Sequence, residues 1–246
     1  MSIVRHAGNL APAGVVSAET MLRTIKELGI VPFFENPVRG YSIEEMTPPR
    51  FWFDGESDTL GPWDWKVDCV QSGEIAYGKF LWGGKAAFAT PQWYRELMNY
   101  RRSLPKYRPG AEDRKVLDYL AENGTVASKD IRRLLGLKKS GADAAATRIQ
   151  MQCRLVIGDI ARVYSGPDLH YSGWQRASFC APEALFGWGE DITGGQKIPG
   201  PGGFPFTDDE PAVPRHTPEE SLELLKDHIR TIAPGATERL ILKMLG

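Results

Sequence analysis

Apolar residues return at helical spacing from Ala18 to Leu28, where Met21, Leu22, Ile25 and Leu28 share one face. Ser17 suits the N-cap of that helix and Gly29 its stop. The following run Gly29-Ile-Val-Pro-Phe-Phe34 is apolar enough for a core, and Asn36-Pro37 and Thr47-Pro48-Pro49 mark loops. Between Glu74 and Ala89 two short apolar runs flank Gly83-Gly84, the pattern of a hairpin. Thr90-Pro91 then opens a helix to Arg102, with Trp93, Tyr94, Leu97 and Tyr100 as its apolar face.

Beyond Pro105 and Pro109-Gly110 the periodicity becomes more regular. Val116, Leu117 and Leu120 line a helix from Glu112 to Asn123, and Thr125-Val126 suits a short strand. Ile131, Leu134 and Leu135 line a second helix, stopped by Gly136. Ala145, Ala146, Ile149 and Cys153 face inward from a third, over about Asp143 to Gln152. Leu155 to Tyr164 and Leu169 to Phe179 are β-rich around the turn Ser165-Gly-Pro-Asp168. Helix, short strand, helix, turn, helix and hairpin make a winged helix-turn-helix module. Gly194 to Pro214 is poor in apolar residues and suits a linker. Thr217-Pro-Glu-Glu220 is a capping box ahead of Leu222, Leu225, His228 and Ile229, and Thr237 to Leu245 forms a last short helix.

The expected class is therefore α+β: a winged helix-turn-helix module joined to an aromatic-rich N-terminal α/β region, with a C-terminal helical extension. The expected divisions are a mobile tail over 1–17, an aromatic-rich part over 18–110, the winged module over 111–187, a linker over 188–216 and terminal helices over 217–246. Those helices suit packing on the main body or a homodimer contact.

Composition narrows the function. An apolar fraction of 42% and a charged fraction of 25% are those of a globular protein, and no apolar run is long enough to span a membrane. Three cysteines far apart form neither a disulfide framework nor a metal knuckle, which fits a reducing cytoplasm. The four scattered histidines offer no zinc-ligand spacing, so neither metal nor cofactor is expected. The net charge of −1 conceals an asymmetry: Arg95 to Arg162 holds 15 Lys and Arg against 8 Asp and Glu, whereas the flanking regions are acidic. That surplus points to an anionic partner, or to a solvated basic face neutralised by an acidic neighbour. Five of the seven tryptophans fall between Arg50 and Tyr94, as core or as a base-stacking platform.

Duplex DNA is the partner such a module suggests. Arg101, Arg102, Lys138, Lys139, Arg148 and Arg154 are the candidate phosphate contacts, Thr147 and Gln150 face the groove, and Arg162 or Arg176 lies on the wing. There is no Walker loop, nucleophile elbow or dinucleotide fingerprint. Cys153 reads as a small buried hydrophobe and His170 as a lone imidazole near the wing.

The blocks Glu27-Leu-Gly-Ile-Val-Pro-Phe-Phe34, Gly40-Tyr-Ser-Ile-Glu-Glu45, Gly61-Pro-Trp-Asp-Trp-Lys66, Ala76-Tyr-Gly-Lys-Phe80, Thr147-Arg-Ile-Gln-Met-Gln152 and Ala181-Pro-Glu-Ala-Leu-Phe-Gly187 resemble the AlkZ-related proteins. These are small relatives of the AlkZ and YcaQ winged-helix DNA glycosylases. The resemblance implies tandem winged helices and, in the glycosylases, excision of alkylated bases by a Gln-x-Gln or Gln-x-Asp motif just after a helix ending in Leu-Gly. Here Leu28-Gly29-Ile-Val is followed by Pro32-Phe33-Phe34, which can neither orient water nor stabilise a sugar cation. Glu35, one step beyond, and Gln150 and Gln152, in the later helix, are the candidate replacements. The expected function is duplex DNA binding without that chemistry. The alternatives are a repair enzyme with rearranged catalytic groups and a module for a protein or small ligand.

Overall fold

The computed structural model describes residues 14–53, 61–188 and 216–246. Helix α1 (Ala18–Leu28) begins where Ser17 and Thr20 exchange capping hydrogen bonds and ends at Gly29, whose φ of 72° closes it. Only glycine takes that conformation without strain, and a side chain there would also strike the Trp93 ring. Strand β1 (Ile30–Pro32) follows at once. Next come two single-turn helices, α2 (Ile43–Met46) and α3 (Arg50–Phe53), then α4 (Pro62–Gln71). Strands β2 (Ala76–Leu81) and β3 (Lys85–Ala89) form the expected hairpin, and β1 joins it to give an antiparallel sheet of order β1-β3-β2. Val31 and Tyr77 both stand opposite Phe88 in that register.

The tail expected over 1–17 is not free where it is described. Val15 is fully buried and its N–H donates to the Met46 carbonyl, because an apolar residue next to the α1 cap falls over the core.

Helix α5 (Pro91–Ser103) leads through a 3-10 turn (Pro105–Tyr107) to α6 (Ala111–Asn123), β4 (Val126–Ala127), α7 (Ser128–Leu135) and α8 (Lys139–Met151). The pattern places the start of α8 four residues late: Gly141 is helical, and its missing side chain gives Leu137 room. Strands β5 (Val156–Ser165) and β6 (His170–Cys180) are antiparallel, and β4 adds to β6, giving the order β4-β6-β5. Short α9 (Pro182–Phe186) follows. Finally α10 (Pro218–Ile232) and α11 (Glu238–Leu245) fold back, with α10 along α5.

The core lies in two clusters. Val116, Leu120, Val126, Ile131, Ala142, Ala145, Ala146, Ile149, Leu155 and Phe179 hold the α6–α7–α8 layer on its sheet. The larger cluster joins α1, the first sheet and α5 to the inner faces of α10 and α11 through Leu225, Ile229, Ile241, Met244 and Leu245. Val156, Ile160 and Cys180 of the hairpin also belong to it. The β5–β6 hairpin is thus anchored on α4 and β2, and the apolar core runs across the sequence boundary near Gly110.

Candidate nucleic-acid interface

Gly136, in the left-handed conformation, ends α7, and Lys138 caps α8 two residues later, so both helices bring their basic residues to one corner. Lys129, Arg132, Arg133, Lys138 and Lys139 are all exposed there. Of these five, only Arg133 has an ion-pair partner among the described residues, Asp130 at 3.5 Å. Alanines at 142, 145 and 146 form the buried face of α8, and their small size lets the helix lie close to its neighbours.

Further along α8 the side chains are bound within the fold. The Thr147 hydroxyl donates to the Asp143 carbonyl (2.8 Å), and its methyl lies over Gly84. Gln150 is 2% exposed: its Oε1 accepts from the Lys79 N–H (2.8 Å) and its Nε2 donates to the Ala146 carbonyl (3.1 Å). It ties α8 to β2, and a side chain at Gly78 would collide with it. Gln150 is therefore corrected from a base-reading position to an interior bracket, since addressing adenine would strand the Lys79 amide.

Gln152, also buried, donates from Nε2 to Asp113 Oδ2 (2.8 Å). Gln150 and Gln152 face different partners and do not converge. Arg148 is half-exposed, with Nε 2.8 Å from Asp113 Oδ1 and Nη2 3.5 Å from Glu112 Oε2. Burial raises the Asp113 pKa, but the hydrogen bonds from Arg148, Gln152 and the Gly110 N–H outweigh it, and the carboxyl is held below its usual range.

Arg101 and Arg102 require a second correction. Arg101 is fully buried, donates from Nε to the Leu245 carbonyl (2.7 Å) and from Nη1 to the Met151 carbonyl (3.2 Å), and stands over the Tyr107 ring. Arg102 pairs with Glu183 (2.5 Å) and donates to the Cys153 carbonyl (2.7 Å). Neither reaches a phosphate without leaving buried carbonyls unpaired. Arg154, half-buried beside them, has its pKa lowered by burial and then by Arg102.

On the hairpin, Tyr164, Leu169 and Trp174 are exposed, at 54%, 71% and 73%, as is Arg176. Arg162 instead turns to α4, where it donates to Asp68 Oδ1 (2.8 Å). It belongs to a polar network that the sequence did not disclose. The Tyr171 hydroxyl donates to Asp64 Oδ1 (2.6 Å), and Gln175 Nε2 donates to the Trp63 carbonyl (2.9 Å). Buried Lys66 donates to that carbonyl (2.8 Å) and to Gln175 Oε1 (2.7 Å), beneath the half-exposed Trp63 ring. Burial pulls the Lys66 amine down to about 8 against the opposing effect of Asp64. The only prior signal was the chemistry of Asp64 and Asp68. Their partners lie about a hundred positions away.

After Leu28-Gly29, Phe33 lies at the centre of an aromatic cluster with Phe34, Trp52, Trp63, Tyr77 and Phe88, with ring centroids 4.7 to 6.3 Å away. Glu35 is exposed and paired with Arg39, and its own N–H donates to Glu44. Burial pushes the Cys69 and Cys180 thiols up to about 12, which leaves them inert. Among the described residues no group of His, Cys, Asp and Glu is arranged to hold a metal, and no helix is long and apolar enough to cross a membrane.

Helices packed on two small antiparallel sheets, with an exposed basic corner at α7–α8, define an α+β protein. The chain matches the model of the family described as AlkZ related over residues 15–201, and it belongs to that family. No curated protein and no solved structure matches it.

Proposed function

We propose that the α6–β4–α7–α8–β5–β6 segment is a winged helix-turn-helix module that binds duplex DNA, and that the protein lacks the Gln-x-Gln or Gln-x-Asp chemistry of the DNA glycosylases related to its family. The observation that carries this reading is the α7–α8 corner, where Lys129, Arg132, Lys138 and Lys139 are exposed with no ion-pair partner among the described residues. Four such cations give a phosphate-binding surface whose affinity depends on released counterions. Lys138 and Lys139 contact backbone phosphates, while Thr147 and Arg148, farther along α8 and bonded within the fold, lie at the edge of the contact. Arg154 is kept only as a candidate for a charge near the interface. The aromatic cluster at Phe33 and Phe34 supports the absence of the glycosylase motif, because an apolar cluster offers nothing to activate water.

Fluorescence anisotropy with a labelled duplex over a salt series tests this. Log affinity should fall linearly with log salt, and Lys138→Glu with Lys139→Glu should abolish binding; no binding at low salt would overturn the reading. A repair enzyme with rearranged groups is the second reading, favoured by the buried Lys66 amine beneath Trp63 and the neighbouring Asp64 carboxylate. A duplex with an abasic-site analogue, bound more tightly than plain duplex and less tightly after Lys66→Met, would support it.

The protein is read as cytoplasmic from its three unpaired cysteines. A homodimer through the C-terminal helices would have to use their outer faces, where Leu224 and Leu242 are exposed, since the inner faces pack on α5 and the first sheet. Sedimentation equilibrium would decide it.

A further inference from the structure

A helix-turn-helix that reads sequence lays its last helix in the major groove and presents side chains to base edges. The groove is about 12 Å wide and a helix with its side chains about 10–12 Å across, so little else fits beside the helix. Over its second half α8 is flanked on both sides. On one side the β2–β3 hairpin rests against it: the Thr147 methyl stands 2.6 Å from where a Gly84 Cβ would be, and Gln150 Oε1 accepts from the Lys79 N–H (2.8 Å). On the other, Arg148 Nε is held 2.8 Å from Asp113 Oδ1 in the first turn of α6. From Thr147 onward α8 leaves no room for the walls of a groove.

The outward ridge between these flanks is poor in chemistry that tells one base from another. Ser140, Ala144, Thr147 and Met151 share it at helical spacing, each exposed or half-exposed. A serine or threonine hydroxyl serves any base alike, and the Thr147 hydroxyl is turned back to the Asp143 carbonyl (2.8 Å). Alanine offers no polar atom and a thioether accepts only weakly. The side chains of α8 able to make a paired contact with adenine or guanine are Gln150 and Arg148, and they are the two locked on the flanks.

The cations tell the opposite story. Lys129, Arg132, Lys138 and Lys139 are exposed at the α7–α8 corner with no ion-pair partner among the described residues, and three of the four are lysines. A lysine is a point charge on a flexible stem and holds a phosphate wherever the backbone passes. Half-exposed Asp143, one turn into α8, sets a carboxylate against the phosphates that a deeper seating would bring near. On the hairpin Arg176 is exposed, and in a minor groove an arginine tells only A·T from G·C.

We infer that the protein binds duplex DNA of any sequence: α8 meets the backbone end-on through the corner cations, and its outward ridge reads no bases. The inference rests on the duplex-binding reading and specifies the class of duplex that the same surface takes. The helix that a winged module ordinarily commits to the groove is here committed at its second half to the first sheet and α6, and only its first turns remain for the partner.

Selection by the full chain from a random-sequence duplex library at low salt tests it, followed by anisotropy on the recovered and the unselected duplexes. No motif should be enriched, and affinities should differ by less than about tenfold, where a protein that reads sequence prefers its site by about 10³-fold or more. The slope of log affinity against log salt should be about −3 to −4, near −0.9 for each of four phosphates, and the same for every sequence. Lys129→Ala, Arg132→Ala, Lys138→Ala and Lys139→Ala should each reduce its magnitude by about one and weaken all duplexes alike. Ser140→Ala, on the ridge, should leave every affinity unchanged. An enriched motif, a slope that depends on sequence, or a sequence preference altered by Ser140→Ala would overturn the inference while leaving duplex binding in place. No binding to any duplex would overturn both.

Discussion

Two regions of the middle of the chain are both basic in sequence and opposite in use. At the α7–α8 corner, Lys129, Arg132, Lys138 and Lys139 extend into solvent with no ion-pair partner among the described residues. At the seam where α5, α8, α9 and α11 meet, Arg101 and Arg102 are enclosed, and their guanidinium groups close off backbone carbonyls of Leu245, Met151 and Cys153. A surplus of cations therefore measures two things together: charge available to a partner, and planar multi-donor groups used to fasten helix ends. Substitution separates them.

The largest effect is expected at the seam. Arg101→Met removes the donors to two buried carbonyls and should cost about 2–4 kcal/mol of stability, read by urea denaturation. DNA affinity should stay unchanged wherever the variant remains folded; a weaker duplex affinity in a folded variant would blur the contrast. Asp113→Asn comes next. It breaks the charge-assisted bond to Arg148 and should cost about 1.5–3 kcal/mol at pH 7.

The sign of the Asp113 pH dependence follows from its lowered pKa. The native carboxyl binds its proton more weakly than the unfolded one, so its stabilisation is complete above the unfolded value and is lost as pH falls through the native value. The wild type should therefore lose stability toward acid over that window more than Asp113→Asn does, a difference that melts at several pH values would show.

Lys66 works in the other direction. Its native pKa, about 8, lies below that of an unfolded lysine, so the unfolded chain binds more protons between about 8 and the usual lysine value near 10.4. Stability should rise across that window in wild type, and Lys66→Met should remove the rise. Smallest of all is the stability effect at the corner: Lys138→Glu with Lys139→Glu should change stability by less than about 0.5 kcal/mol. A large loss there would mean that the corner, too, is structural.

The sequence made some of this legible and not the rest, for physical reasons. Helices α1, α6, α7 and α10 were legible because their caps and stripes are local, as at Ser17, Val116-Leu117-Leu120, Gly136 and Thr217-Pro218. The order of elements from α6 to β6 was legible for the same reason. The fate of polar residues was not. Gln150 and Arg148 are two positions apart on α8, yet one is sealed against β2 and the other half-exposed, because a helix turns about 100° per residue and the identity of its neighbours is a tertiary fact. Lys66 and Gln175 meet across 109 positions, a separation over which spacing has no meaning. The tail expectation failed at Val15 because composition averages over a segment, whereas burial is decided residue by residue.

The bond from Arg101 to the Leu245 carbonyl spans 144 positions and sets an order of events during synthesis. At roughly 5–20 residues per second, about 7–30 s pass between the emergence of the guanidinium and that of its acceptor. Through that interval α5 cannot close over the arginine, and the surface that will receive α10 and α11 stays wet. A nascent chain should therefore remain open to protease along this face until Leu245 has emerged, making this seam slow to set and a place for a chaperone to hold.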